Sequence, residues 1–549
     1  MRRPLLAALA IAAVLAWLVG YPLLMTLLEA LGGPAAWTLA HFSEFFGRTD
    51  EWLALWRSLW ISAVSVVLAA LVGIPLAFLF ERTDFPGRRV LGAIVALPVA
   101  LPPLVGVIAF HFLYGESGFA LRAVQSLLGL EQPPWRLVGP GAILLVHAYS
   151  MYVYFYLFTR AGLARLDAAL LEAAASLGAS RTRTLFKVTL PMLRPALAGA
   201  ALLTFMTSLA SFSAPYLFGG GFRVMTTQIV ASRLNGELAL AQVETVMLAI
   251  LALLGLAAMR RADRAAATGT GVRGIAPARR RLRSPLARLA AGFFGWLLAI
   301  VLLLPHVVLV LVSLVPPFTW TVEPFPPVLS FGNWRALFTD LERLRPILNS
   351  LWMASAATAA ALALGFAAAW FAAVRRSRMS PLLEGLIAVP WAVPGTVFAV
   401  ALATAFSVHQ PWLGRIVLIG TPVILPLAYL VRNLPLTGRA ALAGLRQLDP
   451  ALEEAAASLG AGSWRRLTRV VLPILRPALA AGGGLAFITS LGDFVVSVVL
   501  YTPSTRPISM AMFSDLRSDF GISATYGVLL MTASAAAFLI WGQGEEAAR

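Results

Sequence analysis

The chain alternates long apolar runs with short polar segments that carry most of its arginines. A bilayer core about 30 Å thick is crossed by a helix of roughly 20 apolar residues. Runs of this length predict an all-α membrane protein with about twelve transmembrane helices. The runs occupy residues 5–31, 54–80, 90–114, 139–159, 196–218, 240–259, 287–316, 347–374, 383–408, 415–431, 478–501 and 523–541.

Composition supports the same class of protein. Hydrophobic residues make up 59% of the 549 residues, charged residues make up 12%, and the mean hydropathy is +0.82. Because soluble domains are about 25% charged, an ordinary soluble protein is excluded. The net charge of +18 lies in short loops beside apolar runs, so anionic lipid accounts for it and no nucleic-acid partner is expected. The absence of cysteine excludes disulfides and thiolate metal sites.

Arginine also predicts the orientation of the chain. Residues 260–286 carry a dense arginine cluster with one acid, Asp263, and arginines also crowd residues 82–89 and 375–378. The alternate loops contain both signs of charge. Because cytoplasmic loops are enriched in Lys and Arg, these segments are expected in the cytoplasm. The N-terminus is therefore expected in the cytoplasm as well.

One polar segment occurs twice. Residues 166–195 read LDAALLEAAASLGASRTRTLFKVTLPMLRP, and residues 448–477 read LDPALEEAAASLGAGSWRRLTRVVLPILRP, at a constant offset of 282. Residues 56–80 and 348–372 also correspond, at an offset of 292, so that Ser58 matches Ser350. The repetition predicts two parallel six-helix halves. The halves are residues 1–259 and 287–549, joined by an Arg/Gly-rich cytoplasmic linker at 260–286.

Each repeated segment is expected to form a short helix, a glycine turn and a second helix. Asp167 and Asp449 stand where an N-cap is wanted, and Pro450 suits a first helical position. Gly178 and Gly460 stand where a helix ends in the left-handed conformation. The repeated loops, at about 160–195 and 432–477, are therefore expected to project as docking elements.

The pattern E-A-A-x-x-x-G, followed by L-P about a dozen residues after the glycine, resembles the signature of membrane subunits of binding-protein-dependent ABC importers. Two copies on one chain resemble the fused permeases for ferric iron, thiamine and polyamines. The resemblance implies a coupling helix that inserts into a cytoplasmic ATPase. The residues implied to couple are Glu172, Ala173, Ala174, Gly178, Glu454, Ala455, Ala456 and Gly460.

The resemblance also implies partners and a location. They are two copies of a cytoplasmic ABC ATPase, a periplasmic substrate-binding protein and membrane lipid, for a multi-pass protein of the bacterial inner membrane. The only lysine is Lys187, so the chain lacks the G-K-[ST] of a phosphate-binding loop. The chain is therefore expected to be a transport subunit without cofactor, catalytic residues or metal ligands, with ATP and Mg²⁺ on the partner ATPase.

Two other classes of protein explain the sequence less well. A major-facilitator-type secondary transporter also has twelve helices in two parallel halves, and ERTDFPGRR at 81–89 faintly resembles a loop of that superfamily. Residues 375–382 offer no matching second loop, and the E-A-A repeat stays unexplained. A membrane-embedded enzyme would need histidines and carboxylates at catalytic or metal-ligand spacing, which the apolar runs do not contain.

Polar residues inside apolar runs are candidates for the translocation path. They are Asp493, Ser490, Ser208 and Ser211, with Ser211 at the position of Asp493 in the repeat. Asp493 has an alternative role as a structural cap or ion-pair partner. His111 and His147 are expected to bond neighbouring helices. Tyr149, Tyr152 and Tyr156 share one helix face and are expected to pack, although phenolates also bind ferric iron.

Prolines lie at matching positions within two of the apolar runs. Pro98, Pro102, Pro103, Pro390 and Pro394 are expected to break or kink the third and ninth apolar runs.

Ferric iron is the favoured cargo, because the two-motif chain and the segment YTPSTRPISMAMFSDLR at 501–517 resemble iron-type permeases. Thiamine, a polyamine or a phosphonate remain alternatives.

Overall fold

A computed structural model describes most of the chain. The described residues are 2–33, 37–96, 98, 101–267, 280–281, 284–320, 323–374, 379–407 and 416–546. Much of the predicted linker at 260–286 lies outside them, since residues 268–279 and 282–283 are not described. The division into two halves with this linker therefore stays a prediction.

The first part of the chain is helical, as its apolar runs predict. Its helices are α1 (Arg2–Leu15), α2 (Tyr21–Ala30), α3 (Ala40–Gly47), α4 (Thr49–Arg82), α5 (Arg88–Ala96), α6 (Pro103–Tyr114), α7 (Phe119–Leu128), α8 (Pro140–Ala164), α9 (Ala168–Ser176), α10 (Arg181–Thr184), α11 (Leu190–Leu209), α12 (Ser213–Phe218), α13 (Met225–Leu234) and α14 (Leu238–Ala267). Two short strands, β1 (Thr83–Asp84) and β2 (Arg280–Arg281), pair in parallel with Thr83 opposite Arg280.

The second part follows a similar order of helices, although no described helix corresponds to α7. It contains α15 (Pro285–Ser313), α16 (Gly332–Thr339), α17 (Leu341–Ala373), α18 (Ser380–Ala392), α19 (Gly395–Ala405), α20 (Ile424–Gln447), α21 (Pro450–Ser458), α22 (Ser463–Arg466), α23 (Leu472–Leu491), α24 (Ser497–Leu500), α25 (Ile508–Ser514) and α26 (Phe520–Glu546). Short π-helical turns occur at Ala16–Gly20, Leu185–Thr189 and Leu467–Val471, and a 3₁₀ turn at Pro503–Thr505.

The all-α membrane fold is confirmed, although fewer helices qualify as spans than the twelve runs predict. Among the described residues, 10 helices are long and apolar enough to cross a membrane, or 11 if one bent pair counts as a span. The bent pair corresponds to the run 383–408, and the run 415–431 gives no qualifying helix. It contributes to α20, a helix whose Arg432, Asn433 and Arg439 make it too polar to qualify by composition.

Proline breaks the third and ninth runs, as expected. The third run is divided between α5 and α6, and α18 meets α19 at a bend of 112°. The residues before α6 and α19 are Pro102 and Pro394, with φ/ψ of −58/132° and −53/146°. Proline lacks the N–H that would continue the preceding helix, so both halves break at the same place. Pro390, in contrast, lies within α18.

The two halves are built on the same helix contacts. α4 and α8 run side by side in one direction, with Ser65 bonded to His147 and Glu81 paired with Arg160 further along. α17 and α20 do the same in the second half, where the Thr437 hydroxyl donates to the Ala361 carbonyl at 2.8 Å. Because α4 and α8 run in the same direction, the end of α4 and the start of α9 lie on one face. α11 and α23 run antiparallel to these pairs, since Ser208 meets His147 while Leu193 meets Gly162, and Ser490 meets Asn433 while Leu475 meets Gly444.

A hydrogen bond at the repeated serines shows how closely the halves agree. The Ser58 hydroxyl of α4 accepts from the Met225 N–H at 2.7 Å. The Ser350 hydroxyl of α17 accepts from the Ile508 N–H at 2.8 Å. Each serine thereby caps the first turn of a helix, α13 or α25, whose leading N–H groups have no partner within the helix. The sequence match of these two serines therefore reflects one structural role.

The halves exchange their first helices. α1 and α2 pack on α17, α18 and α19, where Trp17 meets Phe406 edge-on with ring centroids 5.3 Å apart. α15 packs on α5 and α6, and the Tyr149 hydroxyl donates to the Leu302 carbonyl at 2.6 Å. Apolar side chains from both halves share one buried cluster. Each half therefore completes the core of the other.

Candidate functional site

Each half presents an exposed loop with the local structure that the repeated motif predicts. α9 follows Asp167, whose carboxylate accepts from the Ala169 N–H at 3.0 Å, and α21 follows Asp449, which caps Ala451 at 2.9 Å. Beyond the helices, Gly178 has φ +75° and Gly460 has φ +79°. Only glycine adopts this conformation without steric cost. The predicted caps and glycine turns are confirmed.

The turns are closed by the same backbone hydrogen bonds. The Ala179 N–H donates to the Ala174 carbonyl at 3.0 Å, and the Ala461 N–H donates to the Ala456 carbonyl at 3.0 Å. These bonds satisfy carbonyl groups that a helix end otherwise leaves free. The two loops, which share the sequence AASLGA at this turn, thus adopt one geometry, as expected of a repeated docking element.

The residues of the motif are accessible. None of the side chains of α9 or α21 is buried. The exposed motif residues are Glu172, Ala173, Gly178, Glu454, Ala455 and Gly460, while Ala174 and Ala456 are half-buried. Within the described part of the chain, neither the Glu172 nor the Glu454 carboxylate forms an ion pair. Their role in coupling stays a prediction.

The loops also expose two leucines that the sequence analysis does not single out. Leu177 and Leu459, which directly precede the turn glycines, are 88% and 89% exposed. Leu170 and Leu452 are exposed one helix length earlier. Paired apolar exposure of this kind marks an interaction surface. The signal in the sequence was the spacing of seven residues, which places each pair on one face of a helix.

A π-helical turn joins each loop to the following long helix. The Leu190 N–H bonds to the Leu185 carbonyl, and the Leu472 N–H bonds to the Leu467 carbonyl. Pro191 and Pro473 follow at once and supply no N–H, so the regular α-helical bonding is interrupted there. The turn occurs at corresponding positions of the two halves, between the exposed loop and α11 or α23.

The path candidates of the first half gather around a buried histidine. His147 is 1% exposed. Its Nδ1 lies 2.9 Å from the Ser65 hydroxyl and 3.1 Å from the Ser208 hydroxyl, and its Nε2 lies 2.9 Å from the Ser211 hydroxyl. The histidine therefore ties α4, α8 and α11 together, as predicted for a membrane histidine with helix partners.

The path candidates of the second half form a charged counterpart. The Arg432 guanidinium donates to Asp493 Oδ2 at 2.8 Å, while Asp493 Oδ1 accepts from the Val496 N–H at 2.8 Å. The Asn433 amide donates to the Ser490 hydroxyl at 2.8 Å. These contacts favour the alternative in which Asp493 is a cap and ion-pair partner. A place for Asp493 in the path stays a prediction.

Arg432 and Asn433 are the partners that the sequence analysis missed. Both lie on α20, whose polar residues keep most of the helix outside the apolar runs of the sequence. The same repeat that aligns Ser211 with Asp493 aligns His147 with Tyr429, whose hydroxyl lies 2.7 Å from that of Ser497. Equivalent positions therefore hold a polar network in both halves, neutral in the first and charged in the second.

The tyrosines of α8 take part in packing, as expected. The Tyr152 hydroxyl donates to the Val95 carbonyl at 2.6 Å, and the Tyr156 hydroxyl accepts from Arg160 at 3.1 Å. With Tyr149 bonded to Leu302, each of the three phenols has a protein partner. Among the described residues, no group of three or more His, Cys, Asp or Glu side chains is placed to hold a metal ion.

The halves meet at a pair of repeat-related phenylalanines. Phe212 and Phe494 correspond at the offset of 282, and their ring centroids are 5.7 Å apart. Tyr216 contacts Phe494 and Phe513 at 6.1 Å and 5.4 Å. Beside them lies a cavity of about 330 Å³, lined by Tyr216 and Leu217 from the first half and Phe513, Ser514, Leu516 and Arg517 from the second.

An ion pair contacts Ser514, one of the residues that line the cavity. The Arg506 guanidinium lies 3.1 Å from Asp515 Oδ1 and also donates to the Ser514 hydroxyl. Burial raises the pKa of the Asp515 carboxyl above its ordinary value, although the neighbouring Arg506 acts in the opposite direction. Arg506 and Asp515 thus neutralise one another, and Arg517 is the charged side chain among the described residues that line the cavity.

Comparison with known proteins identifies relatives over nearly the whole chain. The family described as binding-protein-dependent transport system inner membrane component matches residues 69–268 and 361–542. A Sinorhizobium fredii protein named as a probable ABC transporter permease is 30% identical over 538 residues, which cover 96% of this chain and 94% of that protein.

Two further relatives carry a substrate in their names. The ferric transport system permease protein of Actinobacillus pleuropneumoniae is 27% identical and aligns over 88% of this chain and 70% of its own length. The thiamine transport system permease protein of Escherichia coli is 27% identical and aligns over 85% of this chain and 86% of its own length. The two names give different cargoes, ferric iron and thiamine, and both describe a permease protein.

Proposed function

Because the chain belongs to the family of binding-protein-dependent transport system inner membrane components, we propose that it is the permease through which an ABC importer moves a small substrate, with ferric iron as the favoured cargo, from the periplasm to the cytoplasm. The observation that carries this proposal is the pair of exposed loops, which share one motif and one geometry in two halves of a multi-pass membrane chain. The location is the bacterial inner membrane, with the N-terminus and both loops in the cytoplasm.

Two copies of a cytoplasmic ATPase bind the loops, one on each half. Accessible small residues, Ala173 and Ala455, allow a close approach, and Glu172 and Glu454 offer carboxylates without a partner in the described part of the chain. Leu177 and Leu459 add apolar area at the tip. ATP and Mg²⁺ are held by the ATPase, since this chain has no phosphate-binding loop.

Movement of the loops reaches the membrane helices directly. Each loop continues through a π-helical turn into α11 or α23, and these helices end beside Phe212 and Phe494, where the halves meet. Closure of the ATPase dimer draws the loops together and rocks the halves about their pseudo-twofold axis. Access to the cavity then alternates between the two sides of the membrane.

Iron is the favoured cargo on two grounds. One relative that aligns over most of this chain is named as a ferric permease, and residues 501–517 resemble iron-type permeases. Thiamine is the second candidate, because a relative of similar identity and coverage is named as a thiamine permease. A periplasmic substrate-binding protein delivers the cargo and supplies most of the selectivity.

Reconstitution tests the proposal. Proteoliposomes containing this permease, its ATPase and its binding protein are expected to accumulate radiolabelled iron only when ATP is supplied on the ATPase side. The permease alone is expected to hydrolyse no ATP. Uptake of thiamine without uptake of iron would contradict iron as the cargo and support the proposed transport mechanism. ATP hydrolysis by the pure permease, or uptake without any ATPase, would contradict the assignment of the chain as a non-catalytic importer subunit.

A further inference from the structure

The cavity beside Phe212 and Phe494 is built from both halves of the chain. Tyr216 and Leu217 lie on α12, and Phe513 and Ser514 lie at the end of α25. Tyr216 also contacts Phe494, one of the two repeat-related rings at the junction of the halves. A solute in this cavity would therefore touch both halves at the place where they meet. Its volume of about 330 Å³ is at the small end of ligand pockets.

The charge on the wall of the cavity is positive. Arg517 is exposed and forms no ion pair with a described residue. The neighbouring arginines are neutralised, Arg506 by Asp515 at 3.1 Å and Arg343 by Asp519 at 3.3 Å. Among the described residues, none that lines the cavity carries a carboxylate.

The groups a little further away do not reverse this balance. His111, on α6, is close enough for its charge to interact with those of Arg517 and Glu116. Glu116 lies outside the cavity lining. The guanidinium of Arg517 is thus the nearest described charged group to a solute in the cavity.

The residues that line the cavity include hydrogen-bond donors from both halves. The Tyr216 hydroxyl of the first half has no hydrogen-bond partner among the described residues. The Arg517 guanidinium of the second half offers several N–H groups and accepts none. Phe513, Leu217 and Leu516 supply the apolar remainder of the wall. Charged donors in a partly apolar site form strong bonds to anionic acceptors.

We propose that this cavity binds a small anionic solute, held by Arg517 from one half and by the Tyr216 hydroxyl from the other. The inference rests on the proposed import function and narrows its cargo. Ferric iron would pass as a negatively charged chelate, and small oxyanions would fit equally well. Cations such as thiamine or a polyamine would meet an unpaired arginine and no carboxylate, so they are disfavoured.

The absence of cysteine from the chain allows a direct test of charge. Ser514→Cys and, separately, Leu217→Cys place a single thiol on each side of the cavity. The full-length permease in liposomes is treated with sulfonatoethyl methanethiosulfonate, an anion, and with trimethylammonioethyl methanethiosulfonate, a cation. The ratio of the two labelling rates reports the local potential and needs neither cargo nor ATPase.

A matched control comes from an uncharged stretch. Val328 is 50% exposed and lies in the sequence PFPPVLSFGN. We expect the anion-to-cation rate ratio at Ser514→Cys and Leu217→Cys to exceed that at Val328→Cys by about tenfold at low salt, and by much less at high salt. Adding Arg517→Gln should return the ratio to the control value, and Arg517→Lys should retain it.

Either of two results would overturn the inference. One is a ratio at both cavity thiols no greater than at Val328→Cys, and the other is a high ratio that survives Arg517→Gln. Failure of the proposed function is separate, because it appears as absent ATP-dependent uptake while the labelling ratio stays high. Conversely, uptake of thiamine together with a neutral labelling ratio would uphold import and reject the anion site.

Discussion

Asp493 and Arg432 form an ion pair between α20 and the turn that follows α23. The Asp493 side chain is 10% exposed and the Arg432 side chain is 33% exposed. Asp493 also caps the Val496 N–H, and its carbonyl accepts from the hydroxyls of Ser497 and Ser509. One residue thus holds several segments beside the junction of the halves, which makes its carboxylate a structural group whether or not it meets cargo.

Asp493→Asn is expected to destabilise the permease by about 1–3 kcal/mol, because it leaves the Arg432 charge without its acceptor. The double variant Arg432→Gln/Asp493→Asn should be milder than the sum of the single variants, since no unpaired charge remains. Thermal unfolding of the purified permease in detergent measures the loss of stability in the single and double variants. A loss in the double variant equal to the sum of the two single losses would show that the pair is not coupled.

Transport separates the two roles of Asp493. If the double variant recovers thermal stability and ATP-dependent uptake together, the carboxylate is structural. If stability recovers and uptake does not, Asp493 also acts on the path. Wild-type stability and uptake in Asp493→Asn alone would contradict both roles.

At the scale of elements, the glycine turns can be tested apart from packing. A Cβ at Gly178 or Gly460 would meet no atom within 4 Å, so only the positive φ opposes a side chain there. Gly178→Val/Gly460→Val should cost roughly 1–2 kcal/mol per turn and reorient each loop. Asparagine tolerates this conformation, so Gly178→Asn/Gly460→Asn is the matched control.

The readout for the turns is recovery of the ATPase with the tagged permease, measured beside uptake. The valine variant is expected to insert normally, to bind less ATPase and to lose uptake, while the asparagine variant stays close to wild type. Full ATPase recovery and uptake in the valine variant would mean that the loops are connectors.

Leu177 and Leu459 give a second test of the loops. Since both are almost fully exposed, Leu177→Ser/Leu459→Ser should leave the stability of the permease within about 0.5 kcal/mol of wild type. Binding of the ATPase should weaken, because apolar area at the interface is lost. Leu127→Ser on α7 is the control, since Leu127 is 84% exposed away from both loops. Equal ATPase binding by the Leu177/Leu459 and Leu127 variants would exclude these leucines from the interface.

The elements differ in how far their sequence predicts them. Glycine and proline act locally, so the turns at Gly178 and Gly460 and the breaks at Pro102 and Pro394 follow from single residues. α20 does not follow from hydropathy, because its polar residues are satisfied by partners distant in sequence, such as Asp493. Hydropathy measures one helix at a time and cannot include a partner on another helix.

At the scale of the molecule, the exchanged first helices are the feature that no local pattern predicts. α1 and α2 pack on the second half, and α15 packs on the first. A repeat detected in sequence indicates that the halves resemble each other and leaves open which half each helix joins. The exchange means that neither half buries all of its apolar surface alone, so we expect the halves to stay associated.

The exchange predicts that the halves assemble even without a covalent link. Residues 1–273 and 274–549, expressed together as two chains cut within the undescribed stretch 268–279, should co-purify through a tag on either chain. Phe406 is 1% exposed and meets Trp17 across the halves, so Phe406→Ala should cost about 3–5 kcal/mol and sharply reduce recovery of the partner chain. Trp56, which is 57% exposed on α4, provides the control variant Trp56→Ala, for which recovery should be unchanged. Fragments that purify separately, or that tolerate Phe406→Ala as well as Trp56→Ala, would show that the covalent linker and not the exchanged helices holds the permease together.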